Sequence, residues 1–340
     1  MTALTGPTTA GREADRRPPA TTTDPTYATS GPAADRPTAL DSPAPDALQP
    51  ASPSSPAAAP ADDRPARAGR ARRRPTLVVG AVLVGLGLLV AVVSLFWTPY
   101  NLTDTAGGRL EAPSLDHWLG TDKLGRDTAS FVMVGTRIAL QVGLGAAGIA
   151  ALAGTAVGLA AAWAKPWLDD AAASVFDVML AFPTLLLAMV IGAAQGRSTA
   201  TVIIAIGLAQ SAYVARLSRI LARRVRGQAF VTAAIVSGSS LWAITFRHLL
   251  PNMWTMLVVN FALSFGVGVL AEATLSYLGL GVPPPNASLG RLMKEAQQTV
   301  LTAPVEAIAP GVMVLVLVIG ANYLADGLRE LADPVARGRA

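Results

Sequence analysis

Residues able to do covalent chemistry are scarce in this 340-residue chain. It has no cysteine, which removes thiol nucleophiles, disulfides and zinc–thiolate sites together. Its two histidines, His117 and His248, are far apart in sequence and build no multi-histidine metal site. None of the three lysines, Lys123, Lys165 and Lys294, follows a glycine. The Gly-Lys-Ser/Thr step of a phosphate-binding loop is therefore missing, and with it ATP hydrolysis by that route. Two carboxylates stand out instead, because Asp177 and Glu272 each interrupt a long apolar stretch. A carboxylate inside a membrane span is a functional candidate by default. For Asp177 the alternatives are structural pairing or capping, and contact with substrate or a partner helix. Pro183, shortly after it, is expected to kink the helix. For Glu272 the alternatives are an interhelical hydrogen bond and a water-facing carboxylate.

A second kind of chemistry is docking. Residues 226–252 are too long for a turn and lack the composition of a linker. Ala233 and Ala234 sit in a helix-forming run, and Gly238 with Ser239 and Ser240 breaks it. Either serine can cap a second helix, which Pro251 is expected to end. A short helix, a glycine bend and another short helix form a knob for a partner protein. His248 falls near the end of the second helix, where its ring can bond backbone carbonyls or face the partner.

The elements that position these residues follow from composition. Hydrophobic residues make up 52% and charged residues 14%, against about 25% charged in ordinary soluble domains. Such a chain cannot cover a water-facing surface with charge, and it reads as an all-α membrane protein. Residues 1–75 differ: they hold 14 of the 25 prolines and no tryptophan or phenylalanine. They cannot bury enough apolar surface to offset chain entropy, and a disordered tail is expected. The tail ends in six arginines between Arg64 and Arg74, read as a topology signal that also suits anionic lipid. Residues 76–97 carry no charge and at about 1.5 Å per residue span roughly 33 Å, enough for a bilayer core. Five further apolar stretches follow, near 138–163, 173–195, 199–217, 253–280 and 305–327. With the N-terminus inside, sixteen Lys and Arg lie near inner ends and seven in outer loops, which puts both termini in the cytoplasm. The expected organisation is a tail at 1–75, a first span at 76–98, an extracytoplasmic segment at 99–133, five helices over 134–330 and a cytoplasmic end at 331–340. The net charge of +5 then reports topology rather than nucleic-acid binding.

Four stretches carry a family resemblance. Thr232-Ala233-Ala234, then Gly238, then His248-Leu249-Leu250-Pro251 resembles the EAA loop of ABC importer permeases. The leading glutamate of that loop is Thr232 here. The run from His117 to Asp127, which includes Gly120, Asp122, Gly125 and Arg126, is similar to a signature of C-type permeases of dipeptide and oligopeptide importers. The runs Leu270–Pro285 and Ala325–Pro334 are similar to that family's segments at the end of span five and at the C-terminus. The resemblance covers residues 76–334. It implies the six-helix, MetI-like fold of type I ABC importers. It also implies a B-type permease partner, two ABC ATPase subunits carrying ATP and magnesium, and an extracytoplasmic binding lipoprotein that delivers peptide. In that frame Glu272 is expected to hold the permease dimer or the outer mouth. This chain itself is expected to be non-catalytic and to bind no cofactor. Nickel, a metal chelate or glutathione are the alternative cargoes within the family. A stand-alone secondary transporter is the reading outside it, and it requires ion-coupling groups and repeats that are not evident.

Two smaller expectations complete the picture. Asp116, Asp122, Arg126 and Asp127 are read as a turn network around Gly120 and Gly125, with docking of the binding protein as the alternative. Gly143, Gly145, Gly148, Gly154 and Gly158 suit close helix packing in span two.

Overall fold

The structure, a computed structural model, describes residues 75–332 apart from Arg197 and Pro285. The expected tail up to Arg74, with its arginine cluster, and residues 333–340 of the C-terminal segment lie outside the described residues.

The described chain is helical, and its one β feature is an isolated bridge between Thr121 and Asp127. Helix α1 (Pro75–Phe96) opens on a proline, whose missing N–H costs nothing in a first turn. An irregular segment then leads to α2 (Thr128–Trp163), capped where the Asp127 carboxylate accepts the Ser130 N–H at 2.8 Å. This cap starts the helix ten residues before the apolar stretch expected at 138–163, and α2 reaches 36 residues.

The apolar stretch at 173–195 is not one straight span. It divides into α3 (Pro166–Ala181) and α4 (Thr184–Gln195), bent by 87°. The cause is local: Pro183 has no N–H, and its ring drives Phe182 out of the helical region, to φ −82° and ψ 129°. The expected kink at Pro183 is thus a full break. Helix α5 (Thr199–Arg226) follows, capped by the Ser198 hydroxyl.

Next come α6 (Ala229–Val236), the single turn α7 (Leu241–Ile244), a π-helical turn at Thr245–Leu249, and α8 (Leu250–Tyr277). Helix α9 (Leu289–Ala296) and α10 (Pro304–Ala332) complete the described chain. Five helical segments are long and apolar enough to cross a membrane: α1, α2, α5, the continuous run Leu241–Tyr277, and α10. The bent pair α3–α4 makes a sixth if it counts as one span.

Close packing gathers these helices around α2, which lies against α5 and α8. Small residues permit it. A Cβ on Gly154 would meet the Val214 Cβ at 2.6 Å, and one on Gly158 would meet the Ser218 Cβ at 2.8 Å, both on α5. Gly143 and Gly268 bring α2 and α8 backbone to backbone, with a Cβ on Gly268 falling 3.2 Å from the Gly143 Cα. Gly145 abuts Ile203 of α5, whereas Gly148 has open space around it and takes no part. Between α1 and α10, Gly80 and Gly327 do the same work.

Candidate functional site

The segment joining α5 to α8 folds as a helix, a glycine turn and a second helix. Helix α5 ends with Arg223, Arg224 and Arg226, cations that suit the negative end of a helix dipole. Helix α6 ends at Ser237, and Gly238 takes φ +79°, a conformation that suits glycine. The Gly238 N–H then donates to the Ile235 carbonyl at 3.0 Å, and the Ser239 N–H to the Ala234 carbonyl at 3.1 Å. That pair of bonds is a Schellman closure. Two residues on, the Ser240 hydroxyl accepts the Ala243 N–H and starts the next helix.

Pro251 does not end this second helix. The helix widens through the π turn, where the Leu250 N–H reaches back five residues to the Thr245 carbonyl, and runs on into α8. The missing N–H of Pro251 falls where hydrogen bonding changes from five-residue to four-residue spacing, so the proline is tolerated in the first turn of α8. The knob and span five are therefore one continuous helical rod from Leu241 to Tyr277.

The knob is anchored from one side. Val231, Ile244, Leu249 and Met253 are buried against Ala222 and Val225 of α5 and Ala162 of α2. The Trp163 indole N–H donates to the Thr245 hydroxyl at 2.9 Å, and that hydroxyl donates to the Leu241 carbonyl at 2.8 Å. The Arg226 guanidinium lies 4.7 Å from the centre of the Trp163 ring and donates to the Ala162 carbonyl at 2.8 Å. The ends of α2, α5 and α8 are thereby tied to one knob.

The other side is apolar and uncovered. Phe230, Ile235, Leu241 and Phe246 are exposed, Trp242 is 75% exposed and Val236 is 83% exposed. The Trp242 and Phe246 rings stack with centroids 5.7 Å apart. Exposed apolar side chains gathered on one short helical segment suit a protein contact.

The singled-out loop residues all fall on this knob. Thr232 and Ala233 are exposed on α6, and the Thr232 hydroxyl makes only a 3.5 Å contact with the Gln228 carbonyl. Ala234 is half-buried, Gly238 is exposed, and the His248 ring sits 6.0 Å from that of Phe230. Leu250 is half-buried and Pro251 exposed. Trp163, Arg226 and Thr245 were not singled out by sequence. A tryptophan closing a long apolar helix, followed by an arginine-rich helix end, is the signal that points to them.

Asp177 and Glu272 lie elsewhere. Asp177 is exposed on α3 and pairs with Arg216 of α5 at 3.0 Å. Asp169, also on α3, pairs with Arg219 and, at 2.8 Å, with Arg223. Arg216, Arg219 and Arg223 are spaced to share one face of α5, so α3 is held along it. Glu272 is fully buried, which removes the water-facing reading. Its Oε1 accepts the Ser276 hydroxyl at 2.7 Å and the Ser288 hydroxyl at 2.9 Å, a tie within this chain between α8 and the start of α9. Twenty-two residues of α8 separate it from Leu250, roughly 33 Å at 1.5 Å per residue.

The segment between α1 and α2 is a turn network. The Asp122 carboxylate accepts the Leu124 and Arg126 N–H groups at 2.8 and 2.9 Å and pairs with the Arg126 guanidinium at 2.6 Å. Asp127 caps α2 and meets the His117 Nδ1 at 3.1 Å. Gly120 and Gly125 both turn at positive φ. Asp116 contributes its carbonyl to the Tyr100 hydroxyl.

Known proteins resemble this chain over about three quarters of its length. A family model described as "Binding-protein-dependent transport system inner membrane component" matches residues 154–338. The dipeptide transport system permease protein DppC of Alkalihalophilus pseudofirmus is 34% identical over 264 residues, 77% of this chain and 87% of that protein. The glutathione transport system permease protein GsiD of Pectobacterium atrosepticum is 36% identical over 260 residues, 75% of this chain and 86% of that protein.

Proposed function

Because this chain belongs to the family of binding-protein-dependent transport system inner membrane components, we propose that it is the C-type permease subunit of an ATP-driven importer of peptides. Two ATPase subunits bind ATP and magnesium and drive it, a B-type permease completes the pathway, and an extracytoplasmic binding lipoprotein supplies the cargo. The relatives named for dipeptide and for glutathione make those the two cargo classes to test. Both termini lie in the cytoplasm, on the side of the α5–α8 knob.

The observation that carries this reading is the knob itself. It offers an uncovered apolar face, and it is continuous with α8 and bonded to the end of α2. An ATPase subunit covering Val236, Trp242 and Phe246 grips a rod that crosses the membrane. Drawing two such knobs together on ATP binding moves the rods as rigid bodies and opens the pathway outward. Thr232, at the place of the family's glutamate, contributes no charge to that grip. Catalysis stays with the ATPase subunits.

The test is purification of the tagged chain from mild detergent, with identification of what accompanies it. The expected result is a second permease and ATPase subunits, with ATP hydrolysis raised by the binding protein. A chain that remains alone after crosslinking in intact cells contradicts the proposal and favours a stand-alone transporter.

A further inference from the structure

The far end of α8 holds a cavity of about 370 Å³, at the small end of the range for ligand pockets. Its wall includes Lys123 from the outer segment, Ser276 from α8, Arg291, Lys294 and Glu295 from α9, and Gln298 just beyond. These carry three cations against one carboxylate. That carboxylate is already engaged: Glu295 accepts the Arg291 Nε at 2.8 Å and faces the Arg126 guanidinium at 3.4 Å. Neither Lys123 nor Lys294 forms an ion pair among the described residues. The Nη1 of Arg291 is shut off from solvent and has no partner among them. The wall therefore carries a net positive charge, with its two lysines unneutralised by an ion pair among the described residues.

The cavity is also held in shape. Ser276 on its wall donates to the buried Glu272, which accepts Ser288 at the residue before α9. This bond pair fixes α9, with Arg291 and Lys294, against α8. Gly279 turns there at φ +85°, and a Cβ on it would lie 3.2 Å from the Lys294 Nζ. The backbone that carries Arg291 and Lys294 is thus held before a ligand arrives, which lowers part of the ordering cost of binding.

We propose that this cavity binds the carboxylate of the transported solute. The proposal rests on the importer reading, because it takes the solute to be a peptide. A dipeptide and glutathione, the cargoes named for the two relatives, differ in side chains but share a free C-terminal carboxylate. The two ammonium groups match that group, and the Gln298 amide suits the neighbouring peptide unit. A site that reads the common end serves either cargo.

The experiment uses the full chain in lipid nanodiscs without partner subunits, and ligand-observed NMR with dialanine and its C-terminal amide as probes. Dialanine is expected to bind, and the amide about tenfold more weakly, the loss of one charge-assisted contact. The double variant Lys123→Gln/Lys294→Gln, which breaks no ion pair, is expected to lose about tenfold for dialanine and to bind both probes alike. Equal binding of acid and amide to the unaltered chain, or unchanged dialanine binding in the double variant, overturns the proposal. So does a chain that binds neither probe while its binding protein needs Lys123 and Lys294 to attach; the cavity then seats an acidic side chain of that protein. The importer reading fails separately, by absence of ATPase subunits from the purified complex, which the lysine variants leave intact at the opposite end of α8.

Discussion

The two ends of α8 are built on opposite principles. At its start, the knob places phenylalanine, tryptophan and valine side chains outward with nothing over them. At its end, the Glu272 Oε1 accepts the Ser276 and Ser288 hydroxyls in the interior while its Oε2 has no partner among the described residues, and an ionic network of Asp122, Arg126, Arg291 and Glu295 ties α9 to the segment between α1 and α2. The apolar end presents the face that we propose an ATPase subunit covers. The polar end is bonded largely within the described chain and carries two lysines that form no ion pair there. A rod with a protein grip at one end and a ligand-sized cavity at the other is suited to carry motion between them.

That contrast is broken most severely at Gly238. Its φ of +79° is closed to proline, and proline also removes the N–H that donates to the Ile235 carbonyl. Gly238→Pro is expected to abolish uptake while immunoblots of membranes show normal insertion. Normal uptake in that variant denies the knob its role. At the other end, Glu272→Ala leaves the Ser276 and Ser288 hydroxyls without their acceptor. A loss of about 1–3 kcal/mol in stability follows, read as a lower melting temperature of the purified chain. Retention of ATPase subunits is expected to be unchanged, and loss of both together would blur the two ends into one. The smallest effect belongs to Trp163→Phe, which keeps the ring over which Arg226 lies but loses the bond to Thr245. About 1 kcal/mol is expected from one hydrogen bond, seen as a modest fall in transport per ATP hydrolysed.

How much of this was legible in the sequence follows from range. The knob was readable because glycine and serines at 238–240 act on their own neighbours: the positive φ and the cap are local events. The six apolar stretches were readable for the same reason. Pro251 misled because proline in a first turn and proline after a helix leave the same mark in sequence, and only the wide turn before it decides. The stretch at 173–195 misled because apolar composition does not separate a straight helix from one broken at Phe182 and Pro183. Asp177 and Arg216 each showed as a charge, but their pairing needs α3 to lie along α5. Glu272 was visible and its donors were not, since Ser288 reaches it only after the chain has turned through Gly279. The cavity was the least legible element: Lys123 and Lys294 share its wall from about half the chain apart, and no local pattern links them.

The central claim is that the knob between α5 and α8 is gripped by an ATPase subunit. The chain has no native cysteine, so a single introduced one reports its own neighbourhood. Val236→Cys places a thiol on the uncovered face, and Leu301→Cys places one on an equally exposed site beyond α9. Treatment of intact cells with a membrane-permeant thiol-to-amine crosslinker is predicted to join Val236→Cys to an ATPase subunit and to leave Leu301→Cys without that adduct. No ATPase adduct at Val236→Cys, or the same adduct from both positions, contradicts the account.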